Sequence, residues 1–201
     1  MKTEILDFKD ERLITLIQKG EVVSFPTETV YGLGVIYDNE ASFEKMIEVK
    51  KRRPDKPFTL MLSSPQEIDK YAIINEKTRR VVEKFMPGEI TILVKPKEDL
   101  YPWVRLNSKY IGIRVSGSKK VCDMIERVGK PMLVTSANIS SFPCATNFQD
   151  SYRTFNQLIK VIVDGPTSSS TPSTIVICDE ELSLVRLGSI KFEDIQKVWE
   201  D

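Results

Sequence analysis

Histidine is absent from this sequence of 201 residues. Without it the chain can form no Ser-His-Asp triad, no Cys-His nucleophile pair and no histidine-ligated zinc site. It also lacks the side chain whose ordinary pKa makes it the usual general base near neutral pH. Any chemistry must therefore rely on carboxylates, lysines, arginines, hydroxyls, backbone dipoles or a loosely held metal ion.

Cysteine is scarce. Cys122, Cys144 and Cys178 are odd in number and widely spaced, and no CxxC pair occurs. Such a set is typical of reduced thiols and not of a disulfide framework. The cysteine pattern therefore predicts a cytoplasmic location.

Long apolar runs and an excess of one charge are also missing. No stretch approaches the roughly 18 to 20 apolar residues that span a bilayer, and the amino-terminal MKTEILDFKDE lacks the apolar core of a secretory signal. We therefore expect no membrane partner. Lysine plus arginine equals aspartate plus glutamate at 29 each, so nucleic-acid binding would need a local patch.

The order of strand-like and helix-like segments predicts an α/β protein with one mixed parallel and antiparallel sheet flanked by helices. The length suits a single domain over residues 1–201. Strands are predicted at 21–25, 58–62, 90–94, 111–115, 132–134, 161–163, 174–177 and 184–186. Helices are predicted after the capping residues Asp7, Asn39, Ser64 and Asn147, and over 76–86, 121–128 and 190–199.

The stretch Ser24–Gly34, SFPTETVYGLG, contains two threonines, a glutamate and a tyrosine between a proline and two glycines. Because Pro26 has no N–H for a sheet ladder, we expect it to end the preceding strand. The stretch then predicts a structured loop, rich in hydroxyls, that holds a small polar ligand. An ordinary connector is the alternative.

The segment Lys50–Lys56 carries five cations in seven residues at the predicted end of a helix. The helix dipole accounts for one or two of them, but mutual repulsion of the whole set favours an anionic partner. A phosphate or triphosphate is the natural ligand. A solvated helix end and an RNA-backbone patch are the alternatives.

Two further features point to a ligand cleft. Arg114 lies inside the apolar run 111–115, so it should face a carboxylate or the mouth of a cleft, unless it lies on the wet face of an edge strand. The turn 135–140, TSANIS, follows directly on a strand, and its small residues let a ligand approach the backbone. A plain turn is the competing interpretation. The loop 96–109 could move over such a site.

Several motifs in order carry a resemblance to a known family: SFPTETVYGLG, KKRRPDKP, PGEITILVK, IGIRV, TSANIS, PSTIV and the late RLG. Together they resemble the YrdC (TsaC) family of threonylcarbamoyl-AMP synthases, in its short form, over about residues 5–197. The resemblance implies a YrdC-like fold with a concave ligand cleft. It also implies a nucleotidyltransferase that makes threonylcarbamoyl-AMP and pyrophosphate from L-threonine, bicarbonate or CO2, and ATP, for threonylcarbamoyladenosine in tRNA.

The resemblance also implies roles for individual residues. The substrate threonine would be held by Thr27, Arg114 and Ser173. The nucleotide would be held by Lys50, Arg52, Lys56, Val134, Ser136, Asn138 and Arg186, with Lys50 and Arg52 the catalytic cations. Mg²⁺ would be bound mainly by ATP, with no metal ligands from the protein.

The sequence departs from the family pattern at four places. Arg53 fills a position where the family has proline, Ser141 one where it has glycine, and Leu187 one where it has proline. Tyr110 replaces a smaller hydroxyl residue that is common there, which puts its nucleotide contact in question.

The implied reaction suits a chain without histidine, because the nucleophile comes from the substrate. The protein must supply orientation and positive charge. Glu28 could assist proton removal, or it could be the structural partner of a cation. We expect the product to pass to other tRNA threonylcarbamoylation proteins, and direct binding of tRNA or double-stranded RNA stays open. A non-catalytic RNA-binding module and a carbamoyl-transfer enzyme are the rival functions.

Overall fold

Eleven strands join into one mixed sheet in the computed structural model of the protein, which describes residues 2–201. The strands are β1 (Glu4–Leu6), β2 (Val23–Pro26), β3 (Tyr31–Ile36), β4 (Thr59–Leu62), β5 (Ala72–Ile73), β6 (Ile90–Pro96), β7 (Ile111–Val115), β8 (Met132–Ser136), β9 (Val161–Val163), β10 (Thr174–Cys178) and β11 (Leu182–Arg186). The helices are α1 (Glu11–Gln18), α2 (Glu40–Lys50), α3 (Glu76–Phe85), α4 (Pro102–Arg105), α5 (Lys119–Val128), α6 (Phe148–Phe155) and α7 (Phe192–Glu200), with a 3-10 helix at Pro65–Lys70. Across residues 2–201, no helix is both long and apolar enough to cross a membrane.

The strand order is β1-β9-β2-β3-β8-β4-β7-β6-β10-β11, with β5 added beside β6. The parallel pairs are β1 with β9, β9 with β2, β4 with β7, and β6 with β10. The other neighbouring strands are antiparallel. The predicted mixed sheet with flanking helices is therefore confirmed.

Most of the apolar core lies on one face of this sheet. Successive residues of a strand point to opposite faces, and every second residue of the central strands enters this core, for example Leu60 of β4 and Ile113 of β7. Helices α2, α3, α6 and α7 cover the face with apolar side chains; they include Phe43, Val82, Phe155 and Ile195. This packing fixes which residues of each strand point the other way.

The opposite face is only partly covered. Helices α1 and α5 pack there over β1, β2 and β9, where Leu13, Ile17 and Met124 join Phe25 in a second, smaller core. Beside this core the same face is open over β4, β7, β6 and β10, and a cavity forms there. The residues on this side of the central strands therefore meet a ligand-sized space instead of a helix.

The prediction that Ser24–Gly34 forms a structured loop is wrong for most of the stretch. The stretch is a hairpin in which only residues 27–30 connect β2 to β3, and Pro26 is the last residue of β2, opposite Tyr31. A proline is tolerated at such a strand end. Gly32 and Gly34 lie within β3, where a Cβ on Gly34 would come within 3.0 Å of the Phe25 ring.

Helix starts were predicted with mixed success. Asn39 and Asn147 cap α2 and α6, accepting N–H bonds from Ser42 at 3.1 Å and Asp150 at 2.9 Å. The cap of α1 is Asp10 and not Asp7, because the Asp10 carboxylate accepts the Arg12 N–H at 2.9 Å. Local cap chemistry allowed either aspartate.

Residues 96–109, predicted to be a loop, contain the short helix α4. Trp103 Nε1 donates to the Tyr37 carbonyl at 2.9 Å, and its ring stacks on that of Tyr101 with the centroids 4.7 Å apart. These contacts fasten the segment to the end of β3.

Candidate active site

A cavity of about 360 Å³ lies on the open face of the sheet, within the size range of small-molecule sites. Its floor is made by the residues of the central strands that point away from the main core. They are Gly32 of β3, Val134 and Ser136 of β8, Thr59 and Met61 of β4, Gly112 and Arg114 of β7, Thr91 and Leu93 of β6, and Ile175 of β10. Five of the six strands contribute at least one glycine, hydroxyl or charged side chain, so the floor combines small and polar residues with apolar ones.

Glycine at position 112 keeps this floor low. A Cβ there would lie 3.3 Å from Leu93 Cδ2 and 3.4 Å from Thr59 Oγ1. Larger side chains would press on these neighbours or rise into the cavity. The space above β7 therefore depends on the missing side chain.

The cavity is positively charged. Three arginines line it, Arg52, Arg114 and Arg186, and no aspartate or glutamate of residues 2–201 does. Guanidinium groups bind carboxylates and phosphates through paired N–H donors. The lining therefore favours a ligand with more than one anionic group.

Arg114 meets both parts of its prediction, because it faces a carboxylate and also lines the cavity. Its Nη2 donates to Glu28 Oε1 at 2.6 Å and to Thr29 Oγ1 at 3.0 Å. Its Nε is buried without a partner among the described residues. A buried donor without an acceptor is costly, so the protein's own groups leave the hydrogen-bonding capacity of this guanidinium incompletely used.

Thr27 lines the cavity from the 27–30 turn. Its hydroxyl donates to the Val30 carbonyl at 2.7 Å and accepts the Thr29 N–H at 3.1 Å. The Thr29 hydroxyl lies 2.9 Å away. Thr27 therefore also shapes the turn on which it lies.

The basic segment after α2 sends one arginine into the cavity. Arg52 lines it, with Nε donating to the Lys56 carbonyl at 3.2 Å and Nη2 to the Pro57 carbonyl at 3.0 Å. Burial lowers the pKa of this guanidinium. Lys56 is exposed and does not line the cavity, so of these two neighbouring predicted phosphate ligands only Arg52 belongs to the lining.

Lys50 lies behind the cavity wall. It is 2% exposed, and its Nζ donates to the Ser136 carbonyl at 2.7 Å, the Asn138 carbonyl at 3.0 Å and Asn138 Oδ1 at 2.7 Å. Burial, and then the charge of Arg52, lower its pKa to about 8. In this arrangement the ammonium holds the 136–138 turn and does not line the cavity.

The 136–138 turn divides its predicted residues in the same way. Val134 and Ser136 line the cavity, whereas Asn138 lies behind it. Asn138 Oδ1 accepts from Ser136 Oγ at 2.7 Å, and its Nδ2 donates to the Phe142 carbonyl at 2.8 Å. Asn138 therefore orients Ser136 from behind.

Ser173 and Arg186 form the far wall. Ser173 Oγ lies 3.0 Å from Thr91 Oγ1, and Arg186 Nη2 donates to the Ser173 carbonyl at 2.8 Å. Burial lowers the pKa of Arg186, and no carboxylate of residues 2–201 is paired with it. Both residues line the cavity.

Sequence reasoning missed several lining residues, among them Thr29, Thr59, Met61 and Thr91. The alternation of small or polar residues with buried aliphatic ones along β4, β6 and β7 was the signal that could have identified them. Tyr110 also lines the cavity, and its hydroxyl donates to Asp179 Oδ2 at 3.0 Å.

The chain offers no metal site of its own in the part that the structure describes. Residues 2–201 contain no group of three or more His, Cys, Asp or Glu side chains placed to hold an ion.

Comparisons with known proteins identify a family and named relatives. Residues 15–188 match the model of the Sua5/YciO/YrdC family, described as "Telomere recombination". The chain is 33% identical over 187 residues to the threonylcarbamoyl-AMP synthase of Bacillus subtilis (strain 168), which covers 91% of this chain and 54% of that protein. It is 28% identical over 198 residues to a putative threonylcarbamoyl-AMP synthase of Methanocaldococcus jannaschii, covering 98% and 91%.

Among solved structures, P. abyssi Sua5 complexed with L-threonine matches with a TM-score of 0.91 at 27% identity, over 98% of this chain and 61% of that one. The chain thus spans 54% of the length of the Bacillus relative and 61% of the Sua5 chain.

Proposed function

The chain belongs to the Sua5/YciO/YrdC family, and from this membership we propose that it is a threonylcarbamoyl-AMP synthase. It joins L-threonine, bicarbonate or CO2, and ATP into threonylcarbamoyl-AMP and releases pyrophosphate. The family resemblance drawn from the sequence motifs is confirmed. The proposed reaction is the one for which the relatives are named. The charge and size of the cavity support it physically.

The observation that carries the proposal is the charge of the cavity. Three arginines and no carboxylate line it, and the buried Arg114 Nε has no partner in residues 2–201. An amino acid offers one carboxylate and ATP offers three phosphates, so together they match such a lining.

The reaction needs no activated side chain. The amine of threonine, once deprotonated, forms a C–N bond to CO2 while one C=O π electron pair moves to oxygen, and loss of a second amine proton to water gives a carbamate. A carbamate oxygen then attacks the α-phosphorus of ATP, and the bond from that phosphorus to the bridging oxygen breaks, so pyrophosphate leaves with the electron pair. The nucleophile belongs to the substrate, which agrees with a chain that has no histidine.

The proposed roles follow from position. Arg114, with Thr27 and Ser173, binds threonine, and Arg52 and Arg186 bind the phosphates. Val134 and Ser136 contact the nucleotide. Lys50 and Asn138 support these contacts from behind the wall, and Lys56 assists from the exit loop. Mg²⁺ arrives bound to ATP.

The setting is the cytoplasm, where the product passes to the proteins that modify tRNA. The rival RNA-binding function would use clusters of surface cations such as Arg79–Arg80 and Lys119–Lys120, and it loses support because members of these clusters are paired with acids. Arg79 contacts Asp69 at 3.1 Å, and Lys119 contacts Asp123 at 2.7 Å. Paired surface charges add little to binding of a polyanion.

Pyrophosphate release from ATP and bicarbonate tests the proposal, with threonine, serine or no amino acid added. We expect release that depends on threonine and is weaker with serine, because serine lacks the methyl group that the cavity can bury. Release at the same rate without amino acid, or none at all with threonine, would contradict the proposal.

A further inference from the structure

The 27–30 turn contacts a strand that is not a neighbour of its own hairpin. Strands β8 and β4 lie between β3 and β7 in the sheet, yet Glu28 of the turn is paired with Arg114 of β7 at 2.6 Å. Since neighbouring strands lie about 4.8 Å apart, the turn must cross the open face of the sheet to make this contact. It therefore covers one side of the cavity.

Glu28 is also held from its far side. Its Oε2 accepts a hydrogen bond from the Ser116 hydroxyl, and Ser116 Oγ accepts the Ser118 N–H at 3.2 Å. Gly117 makes room for this contact, because a Cβ there would lie 3.3 Å from Glu28 Cγ. The segment that follows β7 is thus shaped around the Glu28 side chain.

The same contacts fix the guanidinium of Arg114. Its Nη2 uses both N–H groups, one on Glu28 and one on Thr29 at 3.0 Å. Arg114 and Glu28 side chains are 9% and 12% exposed, respectively. Removal of either member would leave an unpaired buried charge. The Nε of Arg114 stays buried without an acceptor in residues 2–201.

Glu28 is poorly suited to act as a general base. It does not line the cavity, and each of its oxygens accepts a hydrogen bond. Burial tends to raise its pKa, but the charge of Arg114 and the Ser116 hydrogen bond hold the pKa below its ordinary value. A carboxylate with a lowered pKa accepts protons weakly.

We propose that Glu28 is a positioning residue, which latches the 27–30 turn across the cavity and holds Arg114 in the cavity lining, where its guanidinium group binds the carboxylate of the amino-acid substrate. The identity of that substrate rests on the proposed function. The latch itself rests only on the contacts within the chain.

Glu28→Gln tests the inference because it keeps the shape of the side chain and removes the charge. The Kd of L-threonine is measured by calorimetry without ATP, and the Kd of ATP is measured separately. We expect the threonine Kd to rise about tenfold or more and the ATP Kd to change less than about threefold. Hydrogen exchange at the Thr27 and Thr29 amides should become faster.

Two further variants keep the test decisive. Ser116→Ala removes only the far-side hydrogen bond and should raise the threonine Kd less than Glu28→Gln. Glu67→Gln is the matched control, since Glu67 also accepts hydrogen bonds from a serine, Ser63, at 2.6 Å and 3.2 Å. It does not line the cavity and should leave both Kd values unchanged.

The outcomes separate the latch from the enzyme assignment. An unchanged threonine Kd in Glu28→Gln overturns the inference, and so does a fall in kcat alone, which would indicate a base. A proportional loss of both affinities also overturns it, because general damage gives that result. If the wild type binds no threonine while Glu28→Gln speeds exchange in the turn, the proposed function fails and the latch holds.

Discussion

Two buried cations of this protein have different partners, and the partners decide what each can do. Arg114 is paired with Glu28 and keeps a free donor at Nε. Lys50 has no carboxylate within ion-pair distance in residues 2–201. Its ammonium group donates hydrogen bonds to neutral oxygens of Ser136 and Asn138. The first arrangement suits an incoming anion, and the second fastens a turn whose front edge lines the cavity.

Substitution of Lys50 by methionine tests the second arrangement through pH. The pKa of Lys50 is about 8 in the folded protein, against an ordinary value of 10.5. Between these values the unfolded chain binds more protons than the folded one, so the contribution of Lys50 to stability increases with pH. The difference in unfolding free energy, wild type minus Lys50→Met, should rise by at most about 1.4 kcal/mol per pH unit from pH 8 to 10.

Urea unfolding at several pH values measures this difference. Lys45→Met is the control for loss of a lysine side chain as such, because Lys45 lies nearer the surface, paired with Glu21 at 2.5 Å. A difference between wild type and Lys50→Met that stays flat or falls over this window would contradict the placement of Lys50.

Strand β7 shows how one element serves both core and cavity. Ile111, Ile113 and Val115 enter the main core, whereas Gly112 and Arg114 line the cavity. A shift of one residue in register would exchange the two sets. Pairing with β4 and β6 on its two sides therefore fixes the site as well as the fold.

Two adjacent substitutions in β7 should change different properties, the first substrate binding and the second stability. Gly112→Ala adds a methyl group over the cavity floor, 3.3 Å from Leu93 Cδ2, so the KM of ATP or threonine should rise on the order of tenfold. Ile113→Val removes a methylene from the core, so the protein should lose about 1 kcal/mol of stability and keep both KM values. Thermal unfolding and steady-state kinetics measure these effects. Equal effects of both substitutions on KM would contradict the assigned faces.

At the element level, some features could be predicted from local sequence and others could not. Asn39 and Asn147 were recognised as helix caps because a cap depends on the next three residues. The hairpin of β2 and β3 was missed because its glycines are turn signals in isolation. In the structure, Gly32 pairs with Ser136 of β8, about a hundred residues away in sequence, and this pairing makes it a strand residue.

At the scale of the whole molecule, the helices leave part of one face of the sheet uncovered, and the cavity lies over that part. Motif order indicated the family, and Arg52, Arg114 and Ser136 were predicted as site residues. The sequence could not show that Lys50 turns inward, or that Glu28 reaches Arg114 across 86 residues of chain. Such contacts depend on how the strands are ordered.

A crystal structure with L-threonine and a non-hydrolysable ATP analogue tests the central claim most directly. We expect the threonine carboxylate within hydrogen-bond distance of Arg114, and phosphate oxygens on Arg52 and Arg186, in the one cavity above β7. Either ligand bound outside this cavity, or a threonine carboxylate that does not contact Arg114, would contradict the account.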